Sequence, residues 1–361
     1  MIRSPHSLLP SKMLAPYQGD ETGIVSMLLT DGDCAFSALG TIPPAGQTAP
    51  QDLLFEIGSI SKVFTALLLA VLIEEGKIDP NRAIQDVDPG LSNVPDWITF
   101  QTLATHTSGL PRIHVPIWKV LFKPLPDDPY ATFTRKDLFD WFDDRAITSQ
   151  PRHVRHAYSN LGMGLLGEAI SLSVGKPFLD LLSEKVIDPM GLRDTSSLLT
   201  SDQQARFMQP HDAKGKPVVP WTFQAYAGAG CLRSTARDLG KFAHFVLRAL
   251  ENPVTSLDRA IKNSVMPLFG LGRRGATKPI AQSLGWFSIE LQNDAPLMLF
   301  HNGGTAGSTS TLYICPKTNS AAAILTNRGV AANIWAGMKL NRSNPHQTIS
   351  DMFKSMATSN T

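Results

Sequence analysis

Strand-forming segments sit at the two ends of this chain, and helical pattern fills the length between them. GIVSMLLT (23–30) and CAFSAL (34–39) flank Asp31-Gly32-Asp33 and read as a β-hairpin. Strand signal returns near the other end, at Leu284–Leu291, Ser308–Ile314 and Ala321–Thr326, each bounded by turn residues. Between them, DLFDWFDD, LGMGLLGEAISLSVG and FLDLLSEKVIDPMG read as helices broken by Pro and Gly, and Thr235–Leu250 as another. The pattern predicts an α+β fold, an α/β sandwich. One antiparallel sheet is formed by both chain ends and flanked by helices, with an all-helical domain inserted. The boundaries fall at 1–84 and 206–361 for the α/β domain and 85–205 for the helical one. A length of 361 residues suits one large or two interlocked units.

Net charge is +2, from 33 basic and 31 acidic residues, so neither nucleic acid nor an anionic membrane is expected as a partner. Cys34, Cys231 and Cys315 are odd in number and lack a CxxC spacing. They read as small buried hydrophobes in a reducing compartment rather than disulfides or zinc ligands. His153 and His156, with no third ligand in view, read as solvated. The first residues show no continuous apolar run of the secretory kind, so a cytoplasmic location is expected; a processed form would fit the periplasm. The longest apolar run, Val63–Ile73, is too short to span a bilayer. The polar tail after Asn341 is expected to fray.

From about Ser59 to Glu75 the sequence is apolar on nearly every face, which predicts a helix buried all round and stopped at Gly76. At its start stands Ser59-Ile60-Ser61-Lys62. Residues i and i+3 of a helix share a face, about 5–6 Å apart. The spacing sets an amine beside a hydroxyl, which is what a serine needs to become a nucleophile. The helix N-terminus favours negative charge there, and burial lowers a lysine's pKa towards that of a useful base. An N-cap serine beside a surface lysine would give the same four residues, but a surface lysine fits poorly in so apolar a helix. A second copy, Ser173-Val174-Gly175-Lys176, ends in a Gly-Lys-Pro turn, so Lys176 is expected to face solvent.

Tyr158-Ser159-Asn160 offers a phenol that can exchange protons beside an ammonium, and an amide two residues on. A packed tyrosine with Asn160 as helix cap is the plainer alternative. His301-Asn302-Gly303-Gly304 follows an apolar run, and its glycines let backbone N–H groups approach a ligand. Paired with the Ser59 N–H, one of them would form an oxyanion hole; an ordinary Gly-rich turn is the alternative. Pro316-Lys317-Thr318-Asn319 reads as a strand-connecting turn.

The order S-x-x-K, Y-x-N, H-x-G resembles the serine β-lactamase and penicillin-binding-protein superfamily, most of all its class C branch with the family VIII esterase-like members. FEIGSISKVFTALLL, LATHTSGLPR (103–112), YSNLGMGLLGEAI (158–170), AGAGCLRSTARDLGKF (227–242) and LTNR (325–328) are similar to its recurring segments, over about residues 23–340. The resemblance implies a β-lactamase/transpeptidase-like fold with the site between an α/β and a helical domain. It implies Ser59 as nucleophile, Lys62 and Tyr158 as the acid–base pair, and Asn160 as a substrate or lysine ligand. His301 would lead the third motif, with Gly303 beside it and the Gly304 N–H in the oxyanion hole. No metal or organic cofactor is implied.

His301 stands where these enzymes usually carry lysine, and an imidazole with a pKa of about 6.5 is mostly neutral at pH 7. Weaker grip on a carboxylate-bearing lactam is therefore expected. The expectation is a hydrolase of esters, or of small amides or lactams, through an acyl-enzyme on Ser59. A class C-type β-lactamase, a D-amino-acid peptidase and a non-hydrolysing penicillin-binding sensor are the alternatives. Which of Lys62 and Tyr158 is the base stays open.

Overall fold

The strands, in chain order, are β1 (Gly23–Thr30), β2 (Asp33–Gly40), β3 (Phe55–Glu56), β4 (Arg233–Ser234), β5 (Phe269–Gly270), β6 (Ile280–Gln282), β7 (Phe287–Ile289), β8 (Met298–Gly304), β9 (Thr309–Cys315) and β10 (Ser320–Thr326). The helices are α1 (Ser61–Glu74), α2 (Phe100–Ala104), α3 (Arg135–Asp143), α4 (Asn160–Val174), α5 (Phe178–Leu182), α6 (Ser201–Ala205), α7 (Ala227–Gly230), α8 (Ala236–Glu251) and α9 (Ser256–Ser264). These come from a computed structural model that describes residues 22–42, 48–115, 126–145, 147, 153–272, 280–289 and 298–329.

Eight strands form one sheet in the order β2-β1-β10-β9-β8-β7-β6-β5, and every neighbouring pair is antiparallel. The expected union of the chain ends is the β1–β10 ladder, in which Ile24 faces Thr326 and Thr30 faces Ser320. β10 is buried along its whole length, so its residues, Ser-Ala-Ala-Ala-Ile-Leu-Thr, read as a near-continuous run of small and apolar side chains instead of alternating. β3 and β4 make a separate two-stranded ribbon. The described residues of 85–205 contribute α2 to α6 and none of these strands.

Some of the readings need correction. The turn offered as the alternative for HNGG does not form: the segment is the end of β8, paired with β9 so that His301 faces Leu312 and Gly304 faces Thr309. The strand expected at Leu284–Leu291 is shorter at its start, because Ser283 to Trp286 form a turn closed by a Trp286 carbonyl; residues beyond Ile289 lie outside the described range, as does the tail after Asn341. Cys231 and Cys315 are buried free thiols as expected, but Cys34 is exposed because β2 is the sheet's edge strand.

α1 packs all round. Residues Ser61–Leu72 are buried on every side, Lys62 included. Phe64 stacks on Phe242 of α8 at 4.5 Å, and Phe242 on Trp286 at 6.2 Å, tying the helix to the sheet side of the core. Burying a Phe or Leu side chain stabilises by about 1.5–3 kcal/mol, so this helix is among the most firmly held elements of the fold. Among the described residues no helix is long and apolar enough to cross a membrane.

Candidate active site

Ser59 does not cap α1. It sits in a single 3-10 turn, Gly58–Ile60, that runs into the helix at Ser61, and its side chain makes no capping bond. The hydroxyl is therefore free for Lys62, whose Nζ donates to Ser59 Oγ at 2.9 Å and to the Ala229 carbonyl of α7 at 2.6 Å. Lys62 is fully buried. No salt bridge holds it among the described residues, and burial, helped by the Arg112 guanidinium, keeps its ammonium well below the usual lysine range. The second S-x-x-K behaves as expected, since the Lys176 side chain is 43% exposed and pairs with Glu184.

Tyr158 closes the other side. Its phenol hydrogen-bonds Ser59 and is pushed up to about 12 by burial, with the serine bond pulling weakly the other way. Lys62 Nζ lies 5.0 Å from the Tyr158 ring centroid. Tyr158, distant in sequence, thus meets Lys62 at the Ser59 oxygen. The next helix is capped by Ser159, not Asn160: Ser159 Oγ accepts from Gly162 N at 2.8 Å. Asn160 is left to line the pocket, where its Nδ2 donates to the Tyr130 hydroxyl at 3.1 Å.

Gly303 and Gly304 divide their work. A Cβ on Gly303 would lie 1.9 Å from the Ile57 carbonyl oxygen, so only glycine lets β8 press against the turn that carries Ser59. Gly304 is exposed and lines the same narrow pocket as Ser59, Asn160 and Ala229. His301 is buried two positions before Gly303 on the strand; its Nδ1 donates to the Asn302 carbonyl at 2.8 Å, and its ring centroid is 6.4 Å from that of Tyr158.

Three further residues of the site fall within the segments that carry the family resemblance but outside its S-x-x-K, Y-x-N and H-x-G motifs. His106 is buried at φ 57, a conformation that costs a non-glycine residue about 1–3 kcal/mol. Its carbonyl accepts from Ala157 N at 2.7 Å and its Nδ1 from Ser159 N at 3.3 Å, so it grips both neighbours of Tyr158. Its ring lies 4.4 Å from the tyrosine ring, and burial with the nearby cations holds it well below the usual imidazole range. Glu56, also buried, accepts from Trp221 N at 2.7 Å and from Thr305 Oγ1 at 2.6 Å; burial raises its carboxyl. Arg112 places its guanidinium carbon 5.3 Å from the Tyr158 centroid. His156, read as solvated, is instead half-buried. The Gln282 amide nitrogen is committed to two carbonyls, so Oε1 accepts from His156 Nε2 at 3.0 Å.

The sheet order, the helices about it and the serine turn against β8 define the β-lactamase/transpeptidase fold. Solved structures agree in shape. A β-lactamase/D-alanine carboxypeptidase from Yersinia pestis superposes with a TM-score of 0.75 at 22% identity over 97% of each chain. A class C β-lactamase from Rhodobacter sphaeroides gives 0.73 at 21% identity over 89% of this chain and 93% of that one. The Beta-lactamase family model matches residues 15–339, and the chain belongs to that family. It is 25% identical over 327 residues to the Escherichia coli D-alanyl-D-alanine-carboxypeptidase/endopeptidase AmpH, covering 86% of this chain and 81% of that protein. It is also 25% identical over 330 residues to penicillin-binding protein 4 of Amycolatopsis lactamdurans, covering 88% and 83%.

Proposed function

We propose that this chain is a serine hydrolase that transfers the acyl group of an ester, or of a small amide or lactam, to Ser59 and then to water. The observation that carries the reading is a fully buried Lys62 amine 2.9 Å from the Ser59 hydroxyl. A lysine held well below its ordinary pKa is a base, whereas a phenol pushed up to about 12 stays protonated at neutral pH. The pair therefore divides the labour: Lys62 takes the Ser59 proton as Oγ attacks the carbonyl, and Tyr158 gives its proton to the leaving group. The N–H groups of Ser59 and Gly304 receive the oxyanion. In the second half the Tyr158 phenolate removes a proton from water as it attacks the acyl carbon. Lys62 returns its proton to Ser59 Oγ as that bond breaks, so enzyme and proton count are restored.

Tyr158 must face the leaving group, and it lines a cavity of ≈ 690 Å³ with Phe287, Phe300 and Ile280, roomy enough for a sizeable organic group. The acyl side points towards Ser59 and Asn160, into a pocket of only ≈ 20 Å³ walled by Tyr130, Trp221 and Phe223. Short acyl chains fit that asymmetry. A second reading, peptidase or β-lactamase action, draws on the activities named for the relatives above. Turnover of 4-nitrophenyl acetate against nitrocefin, each beside Ser59→Ala, tests the proposal. Ser59-dependent ester turnover supports it; esterolysis that survives in Ser59→Ala overturns it, and a far higher efficiency on nitrocefin moves the substrate to lactams.

A further inference from the structure

Resting on that reading, we infer that Arg112 is a binding residue for an anionic group, a carboxylate in the first instance, on the leaving-group side of the substrate. His301 lacks the permanent charge that a lysine at the head of β8 would supply, and it lies on one side of the Tyr158 ring at 6.4 Å. Arg112 brings a permanent charge to the same ring at 5.3 Å. Its backbone is fixed there, because the Arg112 carbonyl accepts from Asn160 N at 2.9 Å and Leu161 N at 3.3 Å, at the start of α4. Its side chain is exposed and, among the described residues, pairs with no carboxylate. Arg135, Arg206, Arg237, Arg248 and Arg259, by contrast, each hold an acidic partner. Stacking engages the flat face of a guanidinium and leaves its edge N–H groups for a bidentate anion.

The surroundings carry the same sign. The leaving-group cavity has Arg155 and His156 in its wall beside Tyr158 and no acidic residue among those lining it. An anion entering here meets the Arg155 guanidinium and the proton donor, over whose ring Arg112 sits, with apolar walls formed by Phe269, Leu271 and Phe287. The substrate class is thus an acyl donor whose departing half combines an apolar or aromatic body with a carboxylate.

The test compares acetate esters of 4-nitrophenol and 3-carboxy-4-nitrophenol, which share the acyl group and differ by one carboxylate. The wild-type chain is expected to favour the carboxylated ester in kcat/KM by about tenfold, the order expected of one charge-assisted hydrogen bond. Arg112→Gln should bring the ratio close to one, acting through KM, with Arg112→Lys keeping part of it. Binding of 3-carboxy-4-nitrophenol to the Ser59→Ala chain, measured by calorimetry with and without Arg112→Gln, reads the anion site independently of turnover. Affinity lost with Arg112→Gln, and weakened by added salt, supports the assignment. An unchanged ester ratio in Arg112→Gln, a wild-type ratio near one, or equal affinity for the anion in both chains overturns it. Failure of the hydrolase reading would appear differently, as esterolysis indifferent to Ser59→Ala.

Discussion

Gly58 packs directly on the backbone of Gly304: a Cβ at Gly58 would lie 2.7 Å from the Gly304 nitrogen and 2.9 Å from its oxygen. Gly58 also holds φ 47, a left-handed conformation that favours glycine. The residue before the nucleophile thereby sets the distance to the strand end that offers the oxyanion donor. Gly58→Ala must either shift β8 or turn the Ser59 peptide. We expect kcat to fall by at least about tenfold, together with a lower Tm. Normal kcat in a stable Gly58→Ala chain would separate Gly304 from the chemistry.

Lys62 links activity and stability through proton binding. Its folded pKa lies well below its unfolded value of 10.5, so between the two the unfolded chain binds the extra proton, and burial of the amine works against folding. The penalty is fully present below the folded pKa and fades as pH rises towards 10.5. Lys62→Met should therefore abolish turnover yet raise Tm at pH 7, with the gain shrinking at pH 10. Thermal melts at the two pH values check this; a Lys62→Met chain less stable at pH 7 than wild type would contradict it.

The pH profile of acylation follows from the same pair. The rate should drop as pH falls through the depressed Lys62 pKa, because the base becomes charged. It should hold on the alkaline side until Tyr158 ionises near the value of about 12 to which burial pushes it. Stopped-flow acylation with an activated ester across pH 5–11 should therefore show the acid limb and then a plateau up to the top of that range. Tyr158→Phe should cost orders of magnitude in kcat and be non-additive with Lys62→Ala, since the two serve the same acyl transfer.

Glu56 braces two walls at once, through Trp221 N and Thr305 Oγ1. Glu56→Ala would leave both donors without the carboxylate, at about 1–3 kcal/mol for each that stays buried and unsatisfied. Glu56→Gln keeps one acceptor oxygen and should be milder. Denaturant unfolding of the two variants should rank them in that order, with the greater kcat loss in Glu56→Ala.

His106 holds Tyr158 by its flanks. His106→Ala keeps the strained backbone but loses the ring that meets Ser159 N and the tyrosine. We expect kcat to drop by about tenfold with KM little moved, and the alkaline limb of the pH profile to shift with the phenol's surroundings. A pH profile and kcat identical to wild type would reduce His106 to a structural residue.

The sequence made legible whatever rests on local spacing. Ser59 and Lys62 meet because three residues make almost one helical turn, and the β1–β2 hairpin follows from two β-rich runs flanking Asp31-Gly32-Asp33. It misread β8, because Gly303 and Gly304 look like turn residues, when Gly303 is glycine only because Ile57 approaches so closely. The three-residue and two-residue strands β6 and β5 are too short for periodicity to register. His106, Glu56 and Arg112 lie in segments that carry the family resemblance, but their roles were unreadable for another reason: each acts through partners such as Trp221 or Tyr158, whose proximity exists only after folding.

The central claim is a covalent intermediate on one hydroxyl, and acid-quenched intact mass after mixing with a fluorophosphonate or fluorescent penicillin, followed by peptide mapping, reads it directly. The wild-type chain should gain a single adduct on the peptide carrying Ser59, Ser59→Ala none, and Lys62→Met an adduct formed far more slowly. No adduct on wild type under conditions that label a control serine hydrolase, or an adduct that persists in Ser59→Ala, would contradict it.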